Sequence, residues 1–148
     1  MKWKRYGIGV VTSYVVLMLL GFLLHGKLLA PVYKTAPPGL LRSDAEFMAR
    51  FHFLALGYLV FALAAVWIYA YGVENKPWLA QGVRYGVALW VLGSLMPTMV
   101  GYAIQPWPGD ILVKGSAADL VMMVVAGVTI AAVYRKSAGI PRSSRAAA

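Results

Sequence analysis

The sequence predicts an all-α membrane protein, a bundle of four transmembrane helices, and three of its features predict that fold. Hydrophobic residues make up 61% of the chain and charged residues 13%, with a mean hydropathy of +0.70. Soluble domains run at about half apolar and about a quarter charged. The apolar residues fall into four runs of roughly 20 residues, the length that crosses a bilayer. The basic residues stand at the ends of these runs and between them. In a chain of 148 residues four spans leave no room for a separate soluble domain. Residues 1–136 therefore read as one transmembrane unit, followed by a disordered basic tail at 137–148.

The net charge is +9, and its distribution decides what it means. Lys and Arg placed at loop ends match the positive-inside bias and contact with anionic lipid headgroups, not a nucleic-acid footprint. There are no cysteines, which excludes disulfides, zinc-thiolate sites, iron–sulfur clusters and a cysteine nucleophile.

The first span covers about 6–24. Its apolar run is longer than the roughly 7–15 residues of a signal-peptide core, and Ala30 is followed by Pro31, so it reads as a retained span. The stretch from Leu24 to Phe53, which contains the outer loop 25–50, holds both histidines, His25 and His52. Pro37-Pro38-Gly39 breaks the chain there. Ser43-Asp44-Ala45-Glu46 then forms a capping box, and Glu46 stands four residues before Arg50. A continuous second helix is expected from Ser43, entering the hydrocarbon near Phe51 and spanning 51–71.

A polar turn at 72–82 carries Trp78 to the headgroup level. The third span covers 83–104. Within it Pro97 denies the Gly93 carbonyl its usual partner and predicts a kink. Gly93, Pro97 and Gly101 recur every four residues, a stripe on which another helix can approach closely. The fourth span, 117–134, opens on the capping-box pattern Ser116-Ala117-Ala118-Asp119. Arg5-Tyr6-Gly7 and Arg84-Tyr85-Gly86 open the first and third spans alike, which suggests two repeated helical hairpins.

Nine of the 14 Lys and Arg residues lie at the termini and in the middle turn, and five lie in the other two loops. That places both termini in the cytoplasm and the 25–50 loop outside.

Three stretches carry a resemblance to a known kind of protein. They are Gly26-Lys27-Leu28-Leu29-Ala30-Pro31-Val32-Tyr33, the Gly82-Val83-Arg84-Tyr85-Gly86 opening, and the Tyr102 to Pro106 exit. Together they resemble small bacterial inner-membrane proteins built on a domain of unknown function. The resemblance implies a four-helix fold in the bacterial inner membrane, with no catalytic residues to carry over.

Several residues are candidates for chemistry. His25 and His52 flank the outer loop at similar depth; facing each other, they would bind a b-type haem, or a metal with a third ligand from Asp44, Glu46 or Asp110. Asp119 is a carboxylate in an apolar run, by default a functional group. It reads first as the end of the fourth helix's capping box, then as an ion-pair partner of Arg50 or Lys114, then as a proton- or ion-transfer group. Arg50 and Arg84 can snorkel to headgroups or bind an anion. Trp3, Tyr33, Trp78, Trp107 and Tyr134 form an aromatic belt, while Trp67, Tyr69 and Trp90 read as packing. No nucleophile, phosphate-loop or zinc-protease motif is present.

The reading that follows is a non-enzymatic accessory or oligomerising subunit without a cofactor. Its partners are the bilayer and either a second copy or another membrane protein. A small proton or solute transporter is the second reading, and a haem-binding redox subunit the third.

Overall fold

Backbone hydrogen bonding explains why every long apolar run here is helical. A chain in hydrocarbon has no water to satisfy its amides, and a helix satisfies them internally. The structure, a computed structural model, describes residues 3–74 and 76–135. The expected tail at 137–148 lies outside the described residues. Helix α1, Trp3–Gly21, runs into a π-helical turn, Phe22–Leu28, and short helices α2, Ala30–Tyr33, and α3, Asp44–Ala49, follow. Then come α4, Phe51–Gly72; α5, Trp78–Trp90, with a second π-helical turn, Val91–Leu95; α6, Met96–Ile104; and α7, Gly109–Tyr134. Among the described residues, four continuous segments are long and apolar enough to cross a membrane: Trp3–Leu28, Phe51–Gly72, Trp78–Ile104 and Gly109–Tyr134. This is an all-α four-helix bundle, as expected.

The element ends depart from expectation in four places, each with a local cause. Arg50 adopts φ −114°, ψ 9°, so α3 and α4 are separate helices and not one continuous rod. The third span starts at Trp78, because Pro77 supplies the extended residue before a helix and Gln81 secures the turn. The buried Gln81 carboxamide accepts from the Glu74 amide at 3.0 Å and donates to the carbonyls of Glu74 and Lys76. The fourth helix begins at Gly109, eight residues before the expected 117, after the extended Pro108. Pro97 sits in the first turn of α6, directly after the π-helical turn Val91–Leu95. The amide that proline lacks is thus accommodated by a wider turn upstream of it.

Other local features match the sequence. Leu40 donates to the Pro37 carbonyl at 3.2 Å, with Gly39 at φ 83°. This is a type II turn, whose third position favours glycine. The Ser43 hydroxyl accepts from the Glu46 amide at 3.3 Å and the Glu46 carboxylate from the Ser43 amide at 3.1 Å. Removing that cap with Ser43→Ala is expected to cost α3 about 1 kcal/mol, read as faster hydrogen exchange at Phe47, whose amide donates to Ser43.

The Ser43 hydrogen bonds also hold the Glu46 carboxyl below its usual range. A depressed carboxylate stabilises above its unfolded-state value, and that contribution is lost as pH falls through the folded-state value. After correction for intrinsic exchange, acidification should loosen α3 in the wild type and leave Glu46→Gln unchanged.

The bundle is clamped most tightly at the end carrying both described termini. A Cβ on Gly86 would lie 2.5 Å from Val124 Cα, and one on Gly127 would lie 2.5 Å from the Gly82 carbonyl oxygen. α5 and α7 therefore touch backbone to backbone, as small residues allow in membranes. The stripe Gly93, Pro97 and Gly101, read from the sequence as a face for a partner helix, makes no comparable contact within the bundle. A Cβ on Gly93 would meet only the Phe61 ring, at 3.3 Å, and one on Gly101 would meet nothing within 4 Å.

α7 packs between α1 and α5, and α4 lies along α1. Tyr85 closes the ring by donating its hydroxyl to the Ala65 carbonyl of α4. Tyr6 also donates to α4, at Leu63, so the two matched Arg-Tyr-Gly openings converge on one helix. Leu17, Ala62, Val66, Met122, Ala126 and Ile130 fill the centre.

Candidate functional site

Both π-helical turns lead to one polar cluster. A π-turn is wider than an α-turn and re-aims the side chains it carries, which is why such turns gather at functional sites. The first carries His25, the second carries Ser94, and both side chains meet Asp119 of α7. His25 Nε2 lies 3.0 Å from Asp119 Oδ1, and the Ser94 hydroxyl donates to Asp119 Oδ2 at 2.6 Å. On the far side of the imidazole, Nδ1 lies 2.6 Å from the Tyr33 hydroxyl, supplied by α2 folding back over the bundle. Their side chains are about three-quarters buried, at 26% exposed for His25 and 24% for Asp119. Tyr58 of α4 is a further titratable group within range of the Asp119 charge.

This overturns the capping role for Asp119. The residue lies ten positions into α7, about 15 Å along the axis, and Ser116 serves another partner. Trp90 Nε1 donates to the Ser116 carbonyl at 2.9 Å and to its hydroxyl at 3.2 Å. The alternative ion pairs also go elsewhere. Lys114 Nζ is 3.1 Å from Asp110, one turn away on the same helix, and Arg50 donates to the Glu46 carbonyl. Arg84 is exposed midway along α5.

The two histidines are not a pair. His52 is exposed and lies against Phe53, ring centroids 4.4 Å apart, while both nitrogens of His25 are engaged. A bis-histidine haem would require His25 to leave both of its partners. Among the described residues, no group of three or more His, Asp or Glu side chains is placed to hold a metal ion. Trp67 is 51% exposed, whereas Tyr69 is buried and Trp90 is packed against the core.

The geometry assigns the protons. Burial pushes the Tyr33 hydroxyl up to about 12, with the Asp119 carboxylate adding to the effect. Tyr33 therefore stays protonated and donates to Nδ1, which leaves the neutral imidazole proton on Nε2, facing Asp119. If the ring takes up a second proton, Nδ1–H donates to the Tyr33 oxygen and Nε2–H keeps its bond to Asp119. The heavy atoms need not move between the two states, but the Tyr33 hydroxyl hydrogen must rotate away from Nδ1 as the ring takes up its proton. Ser94 donates to the carboxylate in either state. Ser94 touches Asp119 and not His25, so the cluster is not a serine-nucleophile triad.

Sequence reasoning singled out His25 and Asp119 without joining them, assigned Tyr33 to the aromatic belt, and missed Ser94. The usable signal was Asp119 itself, since a carboxylate inside a span needs a polar partner at its own depth.

Fold and cluster together define a multi-pass, all-α membrane protein with an ionisable site set within its four spans. No protein-family model, curated protein or solved structure matches the chain.

Proposed function

We propose that this chain is a non-enzymatic, proton-responsive subunit of the bacterial inner membrane, with both termini in the cytoplasm and the His25 cluster in its outer half. The observation that carries the reading is the Tyr33–His25–Asp119–Ser94 chain, whose heavy atoms can stay in place when the ring takes up a proton and the Tyr33 hydroxyl hydrogen rotates away from Nδ1. The positive-inside bias supports the orientation. About one helical turn below the cluster, toward the terminal end, an apolar layer crosses the core: Leu17 on α1, Ala62 on α4, Leu89 on α5, and Met122 and Met123 on α7. That plug supports sensing over conduction, and so a regulatory or accessory role over a proton or solute transporter.

The test uses Trp90, which reports on α7 one turn from Asp119 through Ser116. In liposomes, a protein whose other four tryptophans are phenylalanine should change its emission when external pH is stepped. His25→Gln and Asp119→Asn should each abolish the change, with internal pH holding as in empty liposomes. Proton leakage above the empty-liposome rate that disappears in Asp119→Asn would contradict sensing and establish transport. A Trp90 response that persists in both variants would remove the cluster from the function.

A further inference from the structure

A polar opening lies at the opposite end of the bundle, where α4 ends and α5 begins. It is a cleft of about 290 Å³ lined by Tyr69, Gly72, Glu74, Gln81, Arg84 and Tyr85, among others. Its wall is fixed: the Gln81 carboxamide is 8% exposed and spends its hydrogen bonds on the backbone of Glu74 and Lys76. Two donors remain uncommitted. Tyr69 is 5% exposed and lines the cleft, yet its hydroxyl makes no hydrogen bond among the described residues. Its ring is locked edge-on to Tyr85 and Tyr134, at centroid distances of 5.1 Å and 5.7 Å. The Arg84 guanidinium is exposed and has no ion pair or hydrogen bond among the described residues.

The charge balance states what the cleft wants. Glu74 is paired with Lys76, whose hydrogen bond and charge, with a smaller contribution from the Arg84 charge, hold its carboxyl below the usual range. That pair is neutral overall, which leaves Arg84 as the net charge at the cleft. A hydroxyl donor and a guanidinium lining one cleft match a tetrahedral oxyanion, which arginine recognises through its fork of N–H groups.

The cleft's height adds the rest. It lies where two spans end, between Gly72 and Trp78, and Trp78 is covered by Arg135, 5.9 Å from its ring centroid. Below it, the side chain of Ile68, 52% exposed, continues the surface into the apolar layer. We propose that this cleft binds a phosphate group, held by Arg84 and the Tyr69 hydroxyl. The source is either the headgroup of an anionic phospholipid whose chains descend along α4, or a free phosphate.

Full-length protein in detergent, offered phosphatidylglycerol or inorganic phosphate, decides the matter by native mass spectrometry and ³¹P NMR. One phosphatidylglycerol retained per chain, with phosphatidylcholine retained less, assigns the site to the anionic lipid. Saturable binding of inorganic phosphate that displaces no lipid assigns it to the soluble ion. In either case Arg84→Gln and Tyr69→Phe should each weaken binding about tenfold, the size of one hydrogen bond to a charged group. Tyr69→Phe keeps the ring packing and Arg84 is exposed, so both variants should keep the wild-type melting temperature. Failure to bind either probe, or binding that neither substitution changes, would overturn the proposal.

Discussion

Asp119→Ala is expected to destabilise the bundle by about 2–3 kcal/mol, in reversible unfolding by SDS in mixed micelles. The substitution strips an acceptor from His25 on the first span and from Ser94 on the third. Polar contacts between membrane helices average only about 0.6 kcal/mol, because helices unfolded within the membrane find other partners. Two features lift this one above the average. The acceptor is a carboxylate, and hydrogen bonds to charged groups run at about 1.5–3 kcal/mol. It also has donors on two different helices, and its loss leaves His25 Nε2 and the buried Ser94 hydroxyl without that acceptor. Asp119→Asn keeps the shape and part of the bonding and should cost less, while removing proton responsiveness altogether. In a double-mutant cycle His25→Gln and Asp119→Ala should be strongly non-additive, since either one breaks the same contact. Additive costs would show that the two side chains act separately.

Gly86→Leu is expected to leave little folded protein, and Gly86→Ala to cost at least about 1–3 kcal/mol, the range for overpacking. A Cβ there meets the Val124 Cα at 2.5 Å and the Met123 carbonyl oxygen at 2.6 Å. Both are backbone atoms, so no side chain can swing aside and the helices themselves must part. Gly101→Leu is the matched control. Its Cβ would meet nothing within 4 Å, so the monomer should unfold as the wild type does, within about 0.5 kcal/mol. A shift in oligomeric size with Gly101→Leu alone would place a second copy on that face, and retention of fold in Gly86→Leu would contradict the α5–α7 clamp.

The contrast between those glycines shows where the sequence was legible. Apolar runs of bilayer length, the Pro-Pro-Gly turn and the Ser43–Glu46 box each depend on residues adjacent in the chain, so each could be read directly. The α5–α7 clamp depends on which faces of two helices meet. Gly82 and Gly86 carry the same four-residue spacing as Gly93, Pro97 and Gly101, and spacing alone does not rank them.

The polar cluster was obscured for a different reason. Ser116 to Asp119 has the spelling of a capping box, but Pro108-Gly109-Asp110 starts the helix earlier, and the Lys114–Asp110 pair lies within its opening turns. The pattern therefore falls mid-helix. His25 and Ser94 reach Asp119 from π-helical turns, which a reading at 3.6 residues per turn does not anticipate. Tyr33 comes from a helix of four residues, too short for periodicity to announce.

The central claim is that His25 shares its two ring nitrogens between Tyr33 and Asp119 in both protonation states. ¹⁵N NMR of the imidazole in lipid nanodiscs, followed through an acid titration, tests it most directly, with His52→Gln leaving a single histidine to observe. The account predicts a neutral ring protonated on Nε2 and bare at Nδ1. On acidification Nδ1 gains a proton while the Nε2–H signal keeps its hydrogen-bonded shift, and Asp119→Asn alters that shift at every pH. A neutral ring protonated on Nδ1, or an Nε2 signal indifferent to Asp119→Asn, would contradict it.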